Sequence, residues 1–136
     1  MKENASVEKS FEFAVRIVKL YKYLVNEHKE YVLSKQLLRC GTSIGANVAE
    51  AQRGQSKADF TAKMSIALKE ANETEYWLKL LYRTEYLSQS QYTSMNADVQ
   101  ELIGILTAIC RTANHNKQFC ILHSAFCIPE RTMLCN

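Results

Sequence analysis

The sequence predicts an all-α domain, an antiparallel up-down-up-down four-helix bundle with an irregular C-terminal tail. Three observations carry that expectation. Gly is 4 and Pro is 1 in 136 residues, which leaves few places to break a helix. Four stretches repeat apolar residues at three- and four-residue spacing, the period of a helix that buries one side. The breaks between them are short, so consecutive helices of roughly 30 Å pack most simply as antiparallel neighbours.

The first helix is expected from about Ser6, as an N-cap, to about Asn26. Val7, Phe11, Ala14, Val18, Tyr21 and Val25 form its predicted core stripe, widened by Ile17 and Leu24. Phe13 and Leu20 extend the apolar arc to nearly half the cylinder, more than one core contact needs, and are candidates for an oligomer interface. The second helix spans about Tyr31 to Gln52, with Leu33, Leu37, Cys40, Ile44, Val48 and Ala51 on its stripe. Gly41, Gly45 and Ala49 line a small-residue strip beside it. Each Gly costs roughly 1 kcal/mol relative to Ala inside a helix, so the strip implies a neighbouring backbone at close range. Gly54 is well placed to end this helix.

Ser56 with Asp59 resembles a capping box and opens the third helix, which runs to about Tyr86. Its core stripe is Phe60, Met64, Ala67, Ala71, Thr74, Leu78 and Leu81, and Lys69–Glu73 and Glu75–Lys79 are spaced to pair one turn apart. Trp77 and Leu80 lie off that core line, an apolar pair that favours a subunit contact. Ser88 and Gln91 form a second capping-box candidate for the fourth helix, where Tyr92, Met95, Val99, Leu102, Leu106 and Ile109 repeat until about Thr112. The bundle is therefore assigned to residues 1–113 and a poorly specified Cys-rich tail to 114–136.

No apolar run approaches the ~18 residues of a membrane span, and the polar N-terminus lacks the apolar centre of a signal peptide. A cytoplasmic protein with no membrane partner is expected. Cys is 5, an odd number, and Cys40 and Cys110 fall within apolar stripes, which argues against a disulfide framework. Cys120, His123, Cys127 and Cys135 have zinc-binding chemistry but not the paired spacing of a zinc site, so no metal or other cofactor is expected. Glu70, Glu73 and Glu75 point to different sides of their helix, and no nucleophile, base and orienting group assemble, so no enzyme is expected.

The net charge is +3, and its excess lies in the first half: residues 1–63 hold eleven Lys/Arg and seven Asp/Glu. Lys35, Arg39 and Arg53 fall within about 40° of one another around the second helix, a basic ridge. Arg16 and Lys19 on the first helix support it. Such a ridge suits the phosphate backbone of RNA, with a solvated face as the plainer alternative. Asn47 and Glu50 flank the core stripe, where hydrogen bonding across helices is their expected role.

SIGANVAEA from Ser43 to Ala51, SKADFTAKMSIALKEANETEYWLKLL from Ser56 to Leu81, and the opening FEFAVRIVKLYKYL resemble the four-helix-bundle family of 23S rRNA intervening-sequence proteins. Ser43, Ile44, Asn47 and Glu50 carry the first of these motifs. The resemblance covers about residues 6–113. It implies an antiparallel bundle commonly assembled as a ring-like pentamer, without known catalysis and often encoded within inserts in ribosomal RNA genes. A related branch serves diversity-generating retroelements, which implies RNA or a reverse transcriptase as partners. The expected function is thus a non-enzymatic homo-oligomer associated with RNA or a ribonucleoprotein; the alternative is a self-assembling structural or protein-interaction module.

Overall fold

The structure, a computed structural model, describes residues 2–124, with side chains placed for residues 5–114. Four helices follow one another: α1 Lys2–His28, α2 Leu33–Ala51, α3 Lys57–Arg83 and α4 Gln89–Ser124. Their directions can be read from which residues meet. Ile17 faces Gly41 while Ser10 faces Gly45. Arg39 meets Glu70 and Glu73 while Glu50 meets Lys63. Gln100 meets Glu75 while Cys110 meets Ser65. In each pair of helices one number rises as the other falls, so all neighbours are antiparallel. Each helix packs on its neighbours in sequence, and α1 closes the ring against α4 over the least extensive contact.

The core follows the expected stripes on α2, α3 and α4: Leu37, Ile44, Val48, Met64, Leu78, Leu81, Val99, Leu102 and Leu106 are all fully enclosed. On α1 the phase differs from expectation. Phe13, Ile17, Leu20 and Leu24 point inward, with Ser6 and Ser10 continuing their line, whereas Phe11 and Val18 of the predicted stripe face outward. The apolar arc of α1 is wide enough to admit either rotation, and the fit against α2 decides it. A Cβ on Gly41 would lie 2.7 Å from Cγ1 of Ile17, and one on Gly45 would lie 3.1 Å from the carbonyl oxygen of Ser10. The two glycines therefore give α1 room to approach closely with Ile17 and the small Ser10 turned toward them.

The connections use side chains and carbonyls where helix ends leave backbone groups unpaired. Lys29 takes a left-handed φ of 53°, and the amide of Glu30 reaches back to the carbonyl of Leu24 at 3.1 Å. The buried carboxylate of Glu30 then accepts from the amides of Val32, Leu33 and Ser34 at 3.1, 2.9 and 2.7 Å. It caps α2 in place of Val32, whose side chain offers no acceptor. Burial pushes the Glu30 carboxyl up, but the amides of Leu33, Ser34 and Val32, with the Ser34 hydroxyl, outweigh it and hold the group below its ordinary 4.5. Gly54 does not end α2 through a left-handed conformation. It provides closeness instead, since a Cβ there would sit 3.1 Å from the carbonyl oxygen of Ala51 and 3.3 Å from the amide nitrogen of Phe60.

Ser56 accepts from the Asp59 amide at 3.1 Å, as its capping pattern predicts. The Ser88 box is complete in both directions: Ser88 Oγ accepts from the Gln91 amide at 3.1 Å, and Gln91 Oε1 accepts from the Ser88 amide at 2.9 Å. α4 continues past its expected end at Thr112 because residues 113–124 contain neither Gly nor Pro, and loss of apolar period alone does not stop a helix. Cys120 and His123 thus fall on α4; Cys127 and Cys135 lie outside the described residues.

Two glycines on helices should respond in opposite ways to the same change. Gly41→Ala forces a methyl against the enclosed Ile17 and should lower stability by about 1–3 kcal/mol. Gly104 has no neighbouring atom within 4 Å of where a Cβ would sit, and Gly104→Ala should raise stability by about 0.5–1 kcal/mol. Urea titration of the two variants checks both signs. Glu30→Ala should cost about 1–2 kcal/mol near neutral pH through loss of the α2 cap. Because the folded-state carboxyl titrates below its ordinary value, this contribution is present above about pH 4.5 and fades as pH falls through the folded-state value. The gap between wild-type and Glu30→Ala urea midpoints should therefore narrow in acid.

Candidate nucleic-acid interface

The ridge residues Lys35, Arg39 and Arg53 are all exposed, while the supporting Arg16 belongs to a different flank of the bundle. Arg39 leans from α2 across to α3, where its Nη2 lies 2.5 Å from Oε2 of Glu73 and its Nη1 lies 3.6 Å from Glu70. The hydrogen bond and charge of Glu73 raise the Arg39 pKa, so this cation is engaged by its own protein. Arg16 reaches from α1 to α4, where it pairs with Asp98 and donates to Ser94 Oγ at 2.7 Å. In a ring of four helices the α1–α4 and α2–α3 seams are on opposite flanks, so Arg16 and Arg39 are separated by the bundle. Lys19, Lys35 and Arg53 remain exposed, with no carboxylate within 4 Å among the described residues.

A second set of cations is hidden in the sequence by its own spacing. Lys69 and Glu73, and Glu75 and Lys79, stand one turn apart, which suggests pairing along α3. The carboxylates turn elsewhere: Glu70 and Glu73 toward Arg39 on α2, and Glu75 toward Gln100 on α4. Lys69, Lys79 and Arg83 are left on the outer face of α3 without an ion partner among the described residues. Tyr76 stands between them, 60% exposed. Lys69, Tyr76 and Arg83 are seven residues apart and hence share one side of the helix, about 10 Å from one to the next. Asn72, exposed one turn before Tyr76, adds an uncharged amide to the same side.

The proposed oligomer residues also divide. Phe13 and Leu20 are 2% and 8% exposed, members of the protein's own core, and supply no spare apolar surface. Trp77 and Leu80 are half-buried, with Trp77 packed on the core and edge-on to Tyr76 at 5.1 Å. The indole Nε1 of Trp77 is enclosed with no hydrogen-bond partner among the described residues. The apolar residues of α1 that do face outward are Phe11, 64% exposed, and Val18 farther along, while Val32 before α2 and Ile66 on α3 are exposed elsewhere. Phe11, Val7, Gly45 and Ala49 line a groove of about 370 Å³ between α1 and α2, with Glu8 and Glu12 at its side.

The motif residues of α2 work within the fold. Ile44 is in the core, and Asn47 donates to the Ser43 carbonyl at 2.8 Å and to Ser43 Oγ at 3.0 Å, within its own helix rather than across helices. Glu50 is exposed and pairs with Lys63 at 3.4 Å. Burial pushes the Cys40 thiol up to about 11, which leaves it an inert part of the core. Among the described residues no three His, Cys, Asp or Glu side chains converge as metal ligands, and no helix is long and apolar enough to cross a membrane.

Residues 2–108 match the family described as 23S rRNA-intervening sequence protein. Among solved structures, the chain is similar to a crystal structure of a protein of unknown function from the S23 ribosomal protein family of Bacteroides thetaiotaomicron, with 62% identity and a TM-score of 0.80. That similarity covers 82% of this chain and 99% of the other. No curated protein matches the sequence.

Proposed function

The chain belongs to the 23S rRNA-intervening sequence protein family, and from that premise we propose that it is a non-enzymatic, self-associating bundle of the cytoplasm that binds the phosphate backbone of RNA. The observation that carries this reading is the outer face of α3, where Lys69, Lys79 and Arg83 surround the exposed Tyr76 while the carboxylates of the same helix turn to its neighbours. Lys19, Lys35 and Arg53 add cations elsewhere. Phosphate contacts of this kind are sequence-tolerant and salt-sensitive, since binding releases counterions from the nucleic acid.

Self-association is supported by the exposed Phe11 beside the Gly45–Ala49 groove, an apolar knob next to a smooth hollow on one molecule. A second copy of the chain is the proposed occupant, and the family resemblance favours a pentamer. A shallow cationic patch repeated around such a ring would gain affinity by avidity. The same apolar strip also favours the alternative, a protein-interaction module without nucleic acid.

Two experiments separate these readings. In sedimentation at micromolar concentration the wild type should be a multimer; Phe11→Asp should yield a folded monomer, whereas Phe13→Asp should lose helix content. A monomeric wild type would overturn self-association. In fluorescence anisotropy with labelled ribosomal RNA fragments, Lys69→Glu, Lys79→Glu and Arg83→Glu combined should weaken binding about tenfold or more at low salt and flatten its salt dependence. The corresponding change of Lys19, Lys35 and Arg53 tests the remaining cations. Absence of wild-type binding at low salt favours the protein-interaction module.

A further inference from the structure

At one end of the bundle, the end of α1 and the end of α3 with the turn that follows it border a cleft of about 350 Å³, lined chiefly by Tyr23, His28, Tyr82, Tyr86 and Glu85. Its aromatic walls stand at steep angles to one another. Tyr23 and His28 have ring centroids 5.2 Å apart at 70°, and His28 and Tyr86 are 5.7 Å apart at 82°. A contact of 3.0 Å between His28 Nε2 and the Tyr23 hydroxyl ties two of these rings together. Tyr82 is stacked on Tyr92 at 4.6 Å and 7°, and Tyr92 is not part of the cleft lining, so one face of Tyr82 is braced from behind.

The polar groups nearby narrow the chemistry of a ligand. Ser88 and Gln91 border the cleft, but they are engaged with each other's amides in the α4 capping box. Among the described residues no Lys or Arg lines the cleft, and its one carboxylate belongs to Glu85, which is exposed. Glu85 is also held at a φ of 70°, a left-handed position after α3 where Gly would be the unstrained choice. A nucleotide would bring a phosphate toward that carboxylate with no cation lining the site to neutralise it. An organic cation would be attracted by the negative quadrupoles of the aromatic rings and by the carboxylate together.

We propose that this aromatic cleft binds an organic cation with a methylated ammonium head, held by Tyr23, Tyr82, Tyr86 and His28 and oriented by the carboxylate of Glu85. The site is separate from the outer face of α3 and stands whether or not the protein binds RNA. Choline is the probe, titrated into the full chain and followed by NMR of the His28 and tyrosine ring protons. Its neutral carbon isostere, 3,3-dimethyl-1-butanol, has the same shape without the charge. Choline should bind about threefold to fivefold more tightly than the isostere, as cation–π contact in a solvent-accessible cleft implies. Glu85→Gln, an exposed change that leaves the core intact, should reduce choline affinity severalfold without altering that of the isostere, and Tyr86→Leu should reduce it further if it remains folded. Equal binding of choline and isostere would overturn the proposal in favour of an apolar cleft. Ring shifts produced by uridine or adenosine monophosphate but not by choline would overturn it in favour of a nucleotide site, and no ring shift with millimolar choline would also sink it.

Discussion

Everything else in the bundle depends on how closely α1 approaches α2. Ile17 rests on the bare backbone of Gly41, and the carbonyl of Ser10 rests on Gly45, each inside the distance a side-chain carbon would demand. An interface without side chains on one partner is short-range and directional, so it sets the rotation of α1 as well as its distance. That rotation carries Phe13, Leu20 and Leu24 into the core and leaves Phe11 and Val18 outside. Two helical glycines, each unfavourable for the helix that holds it, thereby determine which apolar residues the molecule shows to others.

Charge is sorted by a similar competition among neighbours. Glu73 and Glu75 each had a cationic partner available on their own helix and a polar partner across a seam. Glu73 meets the guanidinium of Arg39, whose planar fork suits a carboxylate better than a flexible ammonium one turn away. Glu75 meets Gln100. The lysines they leave behind gain no ion partner among the described residues, and an electrically mixed sequence becomes a one-sided surface around Tyr76. Surface ion pairs of this kind contribute little to stability, so their weight here lies in where they leave charge unbalanced.

Most of the architecture was legible in the sequence because it depends on local rules. Ser88 with Gln91 marks a helix start that holds in both directions of its capping box and Ser56 with Asp59 one that holds through the Ser hydroxyl, and the stripes of α2, α3 and α4 predict which residues are enclosed. Expectation diverged where the answer depends on a neighbour. The phase of α1 requires knowing that Gly41 and Gly45 face it, and the fate of Arg16 and Arg39 requires knowing that Asp98 and Glu73 lie across a seam. The Glu30 cap escapes a sequence pattern because it acts from outside the N-cap position, through the irregular chain between α1 and α2. The aromatic cleft joins residues from α1 with others far along the chain, and no periodicity links Tyr23 to Tyr86.

The order in which the helices pack bears on how the molecule comes together in time. α1 rests on α2, α2 on α3 and α3 on α4, so most native contacts join segments that are close in sequence and cost little loop entropy to form. Such low contact order belongs to chains that fold in microseconds to milliseconds. Only the α1–α4 seam requires the first helix to wait for the last. Polar ties bridge that seam, Lys9 to Glu101 and Arg16 to Asp98 and Ser94, between side chains that are all partly in solvent. During synthesis the bundle can therefore grow hairpin by hairpin, and its final closure joins α1 and α4 in one apolar core, with salt-sensitive polar ties along the rim of the seam.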